Sequence, residues 1–160
     1  GIMTVARASC ICERCGKEFE VVTKRPNRRD ADNFEVWAER NITVCPECVR
    51  AEMEEEHLRE AEDAKKKADE RGLPHLRGSE KQIRWALVIR ADQIDEIEHI
   101  IRKLERLAAT NEERQLLADF KMCADKLFME TSASYWIESR NLEAVELVKD
   151  YRKTMLTRMK

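Results

Sequence analysis

The sequence predicts a mainly α-helical chain with a small β-containing module at its start, a long connecting helix and a C-terminal helical bundle. Three observations carry this. Two cysteine pairs, Cys12-Glu-Arg-Cys15 and Cys45-Pro-Glu-Cys48, sit in the first third of the chain. A run rich in helix formers and charge follows, and beyond it apolar residues recur at three- and four-residue steps.

The cysteine pairs define the first element. Each C-x-x-C turn brings two sulfurs to one side of a tight loop, and two such turns complete the tetrahedron that zinc prefers in structural sites. Cys12, Cys15, Cys45 and Cys48 are therefore the expected ligands of one structural zinc ion, and residues 1–49 read as a zinc ribbon. Gly16 allows a positive φ directly after the first pair, and the alternation of Lys17-Glu-Phe-Glu-Val-Val-Thr23 reads as a short strand leaving it. A redox dithiol would sit within a longer βαβ pattern, which is not visible. Four thiolates leave no open position for water, so the metal is structural and not catalytic. Cys10 offers a third thiol beside Cys12 and Cys15, and reads as a spare surface cysteine, an alternative ligand or a reactive thiol beside the metal. Cys123, in an apolar helical stretch, reads as a small buried hydrophobe.

Composition gives the setting. The chain has 160 residues, 39% of them charged, and a formal net charge of −2, with no apolar run long enough to span a membrane. This balance argues against a general nucleic-acid coat but leaves room for a local basic patch. Gly1 to Ala6 lack the basic start and apolar core of a secretion signal, and Gly1-Ile2 ahead of Met3 reads as an added remnant. A cytoplasmic location, where thiols stay reduced, is the expectation.

Residues 50–72 read as a charged, solvated connecting helix: positions 51–71 carry nine acidic and five basic side chains and too few apolar ones for a core, and Gly72 with Pro74 ends the run. Residues 73–160 read as the helical bundle. Ser79-Glu-Lys-Gln82 is a capping box that opens a long amphipathic helix through Ile83, Ala86, Leu87, Ile94, Ile97, Ile101, Leu104 and Leu107 to about Ala109. Thr110-Asn-Glu-Glu113 is a second capping box, for a helix through Leu116, Phe120, Cys123 and Leu127. A region from Ser132 to Arg140 and a last helix from about Leu142 to Met155 complete the bundle. The isoleucine stripe serves either the bundle's own core or a homodimer seam.

Cys12 to Cys48, with Cys-Gly-Lys-Glu-Phe-Glu-Val, Asn-Arg-Arg-Asp-Ala-Asp, Trp37-Ala38 and Cys-Pro-Glu-Cys, resembles a zinc-ribbon segment of bacterial and phage proteins. Leu76-Arg-Gly-Ser-Glu-Lys-Gln-Ile-Arg-Trp-Ala86 and Ala133-Ser-Tyr-Trp-Ile-Glu-Ser-Arg140 are similar to a helical segment that accompanies it. The resemblance implies a mobile-element or prophage setting and carries no activity with it.

Contact residues are read from charge. Lys24, Arg25, Arg28 and Arg29 cluster in what reads as a loop, Thr23 to Arg29, which offers itself to phosphates or to a protein, although Asp30, Asp32 and Glu35 follow. Phe34 and Trp37 read as packing beneath that loop against the ribbon or as stacking bases, packing being the plainer reading. Lys81 and Arg84 share a helix face near an N-terminus that favours anions, with Ser79 and Arg140 completing a candidate phosphate contact; capping and salt bridges are the plainer reading. Trp85 and Trp136 read as core anchors. No catalytic residue is assigned, since His57, His75 and His99 are scattered and match no H-E-x-x-H spacing. The expectation is a non-enzymatic zinc-ribbon adaptor associated with nucleic acid. The alternative is a protein-interaction module, including a phage-encoded inhibitor of a host protein.

Overall fold

The computed structural model describes residues 3–159, so the reading of Gly1-Ile2 lies outside the described residues, as does Lys160. The chain divides into two compact units, Gly1–His57 and Leu58–Lys160. It is mainly α, with a two-stranded antiparallel sheet near its start.

In the first unit β1 (Thr4–Ile11) pairs with β2 (Glu18–Arg25), with Cys10 opposite Phe19 and Ile11 opposite Glu18. The period-two pleat sends Ala6, Ala8 and Cys10 inward and leaves Val5 and Ile11 exposed. Helix α1 (Arg28–Asn41) covers the inner face, burying Ala31 and Ala38, with Phe19, Val21, Phe34 and Ile42 packed around them. Small side chains on both surfaces let helix and hairpin approach closely. Glu35 ties the two together by accepting a hydrogen bond from the Arg7 backbone N–H at 2.9 Å, which holds its carboxyl below the usual range, as does the nearby Arg28 guanidinium.

The expected loop from Thr23 to Arg29 is not a loop. Thr23 to Arg25 finish β2, and Arg28 and Arg29 open α1, whose N-cap Asn27 accepts from the Asp30 N–H at 2.8 Å. Helix α2 (Pro46–Glu70) starts inside the second cysteine pair, with Pro46 as its first residue, and continues through the division between the units. The expected connector, 50–72, is therefore part of a longer helix, and its later turns are not simply solvated. Ala61, Ala64 and Ala68 are buried at helical spacing, Ala64 within the second unit's core, and Arg71 forms a two-pronged ion pair with Glu98 at 2.8 and 2.9 Å.

The second unit continues with α3 (Glu80–Leu107), α4 (Asn111–Phe128), α5 (Ala133–Glu138) and α6 (Ala144–Arg158). Both predicted capping boxes form, Ser79 with Gln82 and Thr110 with Glu113. α3 packs on α4, α5 and α6, and α4 on α6. The core holds Ile94, Ile97, Leu127, Leu147, Val148 and Trp136, so the isoleucine stripe is used within the unit. Past Ile101 the stripe leaves the core, and Leu104 and Leu107 are exposed. Trp136 is the expected anchor: it is fully buried and its indole N–H donates to the Glu130 carbonyl at 3.2 Å. Trp85 departs from expectation, being 50% exposed, because Ala86 and Leu87 take the core-facing positions of this turn of α3.

The segments 76–86 and 133–140 meet. The Arg77 N–H donates to the Thr131 carbonyl at 2.7 Å and the Ala133 N–H to the Arg77 carbonyl at 2.9 Å. Gly78 makes this possible: its φ is +153°, and a Cβ there would stand 3.1 Å from Ala133 Cβ and 2.9 Å from Gln82 Oε1. Gly78→Ala should destabilise the second unit by about 1–3 kcal/mol, read as a lower urea midpoint of the helical signal; an unchanged midpoint would contradict the clasp.

Candidate metal centre

The first cysteine pair lies in the turn of the β1–β2 hairpin. The Cys12 N–H donates to the Lys17 carbonyl at 2.8 Å and the Gly16 N–H to the Cys12 carbonyl at 2.8 Å, closing a tight knuckle. Gly16 has φ +75°, as its position after Cys15 predicts. The second pair lies at the start of α2, with the Val49 N–H donating to the Cys45 carbonyl at 3.0 Å. One sulfur pair thus comes from a hairpin and the other from a helix N-terminus. The Glu13 N–H to the Thr43 carbonyl, at 2.8 Å, joins the two knuckles. Arg14 with Glu52, at 2.6 Å, and Lys17 with Glu47, at 3.4 Å, span them at the surface.

The result is a four-sulfur cluster. The Sγ atoms of Cys12, Cys15, Cys45 and Cys48 all lie within 4.8 Å of one another, and those of Cys15 and Cys45 are 3.8 Å apart. Four thiolates about 2.3 Å from one tetrahedral ion stand about 3.8 Å apart, so the donor set fits a four-coordinate metal. The separation far exceeds a disulfide bond, and all four cysteines are free. Cys12 and Cys45 are buried, while Cys15 is exposed. The charge distribution is uneven: the backbone N–H of Cys15, followed by that of Cys45, lowers the Cys12 thiol to about 6, whereas hydrogen bonding with Cys45 and burial push Cys48 up to about 12. Without a cation, the Cys12 thiolate forms readily while Cys48 resists. A divalent ion removes that conflict.

Cys10 is neither at the surface nor in the cluster. It is buried on the inner face of β1, where its thiol contacts the Ala38 carbonyl at 3.6 Å, and burial, with Glu39 nearby, raises its pKa. Cys123 is half-buried against the bundle core.

The expected contact residues do not form one patch. Lys24 and Arg25 are adjacent on a strand, so their side chains take opposite faces. Arg25 lies over the Phe34 ring at 4.5 Å, and Phe34 is 6.1 Å from Trp37, which is 53% exposed. Arg28 is committed to Asp32 at 2.9 Å and Glu35 at 3.0 Å, while Arg29 is exposed one position on. In the second unit Arg140 lies over the exposed Trp85 ring at 4.9 Å, and its guanidinium donates to the Ile137 carbonyl at 2.7 Å. Lys81 is exposed one helical turn from Trp85, and Arg84 is half-buried. Ser79 is occupied by capping. Trp37 and Trp85 are both about half exposed, so the plainer expectation of packing for Trp37 and of a core anchor for Trp85 does not hold. Among the described residues, no helix is long and apolar enough to cross a membrane.

No family model, curated protein or solved structure matches the chain.

Metal titration against a chromophoric chelator should give one equivalent bound per chain. Cys10→Ser should keep that stoichiometry, and Cys48→Ser should weaken binding by at least tenfold. Affinity should fall as pH falls, because a thiol held up to about 12 must lose its proton to ligate. Equal losses for both variants would contradict the four-sulfur assignment.

Proposed function

We propose that the chain is a non-enzymatic, zinc-stapled adaptor that binds single-stranded nucleic acid through two tryptophan–arginine surfaces. Zinc is the metal that an all-thiolate tetrahedral site suits best, and four protein ligands assign it a structural role. One observation carries the binding role: each unit exposes a tryptophan by about half, Trp37 and Trp85, beside an arginine already lying over an aromatic ring. Such surfaces stack bases regardless of sequence while the cations meet phosphates. Arg25 and Arg29 serve this role in the first unit, and Lys81, Arg84 and Arg140 in the second. Arg28 and Lys24 are secondary, the first because Asp32 and Glu35 hold it, the second because it faces the other side of the hairpin.

The setting implied by the resemblance, a bacterial mobile element, and a cytoplasmic location suit such an adaptor. A second reading, a protein-interaction module, is favoured by the outer face of the hairpin, where Val5, Ile11 and Val22 are exposed. Its partner would cover that face, which also carries the Arg7–Glu20 ion pair, and leave both tryptophans untouched.

Anisotropy with labelled single-stranded DNA and RNA should show binding that weakens steeply with salt. Trp37→Ala and Trp85→Ala should each weaken it about 5- to 150-fold, and Arg29→Glu should reduce the salt slope. Binding that is absent at low salt, or indifferent to both tryptophans, would overturn this function.

A further inference from the structure

The second unit contains a cavity of about 490 Å³ between α2, the segment leading into α3, and the first turns of α3. Its walls are of two kinds. Leu76, Ile83 and Leu87 supply an apolar side, and Lys65, Arg84 and Arg90 bring positive charge, with Asp69, His75 and Glu80 also lining it. The size lies within the usual range for small-molecule sites.

Arg90 is the unusual member. It is only 2% exposed, and its Nη1 donates to the Pro74 carbonyl at 2.8 Å, so the hydrogen-bond partner is a neutral carbonyl and not a carboxylate. Burial disfavours its charge, and the carboxylate that offsets this is Asp69, which also lies 3.7 Å from the exposed His75 imidazole. A guanidinium carries five N–H donors in a rigid fork, and a buried one is costly without an anion. If Arg90 served only to hold the segment through Pro74, a neutral donor would suffice at lower desolvation cost.

We propose that this cavity binds a small organic monocarboxylate, its carboxylate on Arg90 and its apolar body against Leu76, Ile83 and Leu87. The fork of Arg90 matches a carboxylate with two parallel hydrogen bonds. Asp69 and Glu80 in the lining favour a singly charged ligand over a doubly charged phosphate, since each added negative charge meets both of them. The apolar wall selects for a hydrocarbon body and against a bare ion.

The test is a titration of the zinc-loaded full chain followed by NMR of the Arg Nε–Hε and backbone amide signals. Hexanoate is the probe, with hexan-1-ol as its neutral counterpart and inorganic phosphate as the bare oxyanion. Hexanoate should saturably shift the Arg90 side-chain signal together with the amides of Leu76, Ile83 and Leu87. Hexan-1-ol should bind about ten- to hundredfold more weakly, and phosphate should leave the apolar wall unshifted. Arg90→Leu, with its helical circular dichroism retained, should lose hexanoate binding to the same degree. Should that variant fail to fold, the comparison of hexanoate with hexan-1-ol on the unaltered protein decides. No shift at millimolar hexanoate, equal affinity for the alcohol, or an equal response to phosphate would overturn the assignment.

Discussion

Four sulfurs held within 4.8 Å of one another are the constraint on which the first unit depends. Its buried interior is mostly Ala6, Ala8, Cys10, Ala31 and Ala38, with Phe19, Val21, Phe34 and Ile42 only partly covered. Burying alanine contributes little, since the area removed from water is small. A metal ion held by these four thiolates would supply the missing stability, about 10–16 kcal/mol where such an ion is zinc, enough to fix a hairpin, a helix and the start of a second helix that apolar contact alone would leave marginal. The same small residues that weaken the core permit the close approach of α1 to the sheet. Metal and packing are two parts of one solution.

The second unit is held differently. Its core is built from Trp136, Ile94, Ile97, Leu127 and Leu147, and its topology is tightened where Arg77 and Gly78 meet Thr131 and Ala133. Tyr135 and Glu130 reinforce the same end of the bundle. The Tyr135 hydroxyl donates to Asp150 at 2.9 Å, and Glu130, nearly buried, pairs with Arg158 at 2.7 Å. Rigid elements carrying an exposed tryptophan make better binding surfaces than loops do, because little side-chain and backbone freedom is lost on contact. In both units the tryptophan sits on a helix, Trp37 on α1 and Trp85 on α3.

Much of this architecture was legible in the chain. The cysteine spacing named the four sulfurs, Gly16 announced its left-handed turn, and the capping boxes at Ser79 and Thr110 marked the starts of α3 and α4 to within a residue. Strand β1 was missed because its inward positions are alanines and a cysteine while Val5 and Ile11 face out, which inverts the usual hydrophobic alternation. Helix α1 was hidden by its charged start, although Asn27 followed by Asp30 is a cap signal. Trp85 misled because a large aromatic on an amphipathic helix usually faces inward, and here Ala86 and Leu87 take that side. The buried Arg90 had no sequence signature, since its burial depends on α2 and the Pro74 segment folding over it.

The most direct test of the metal's role is an amide NMR spectrum of the full chain before and after stoichiometric chelation at neutral pH. Dispersed resonances of β1, β2 and α1 should collapse while those of α3 to α6 persist, because the second unit has a large-residue core and the first does not. Retention of the dispersed β1 and β2 resonances in metal-free protein would show that the hairpin stands on its own and contradict the account.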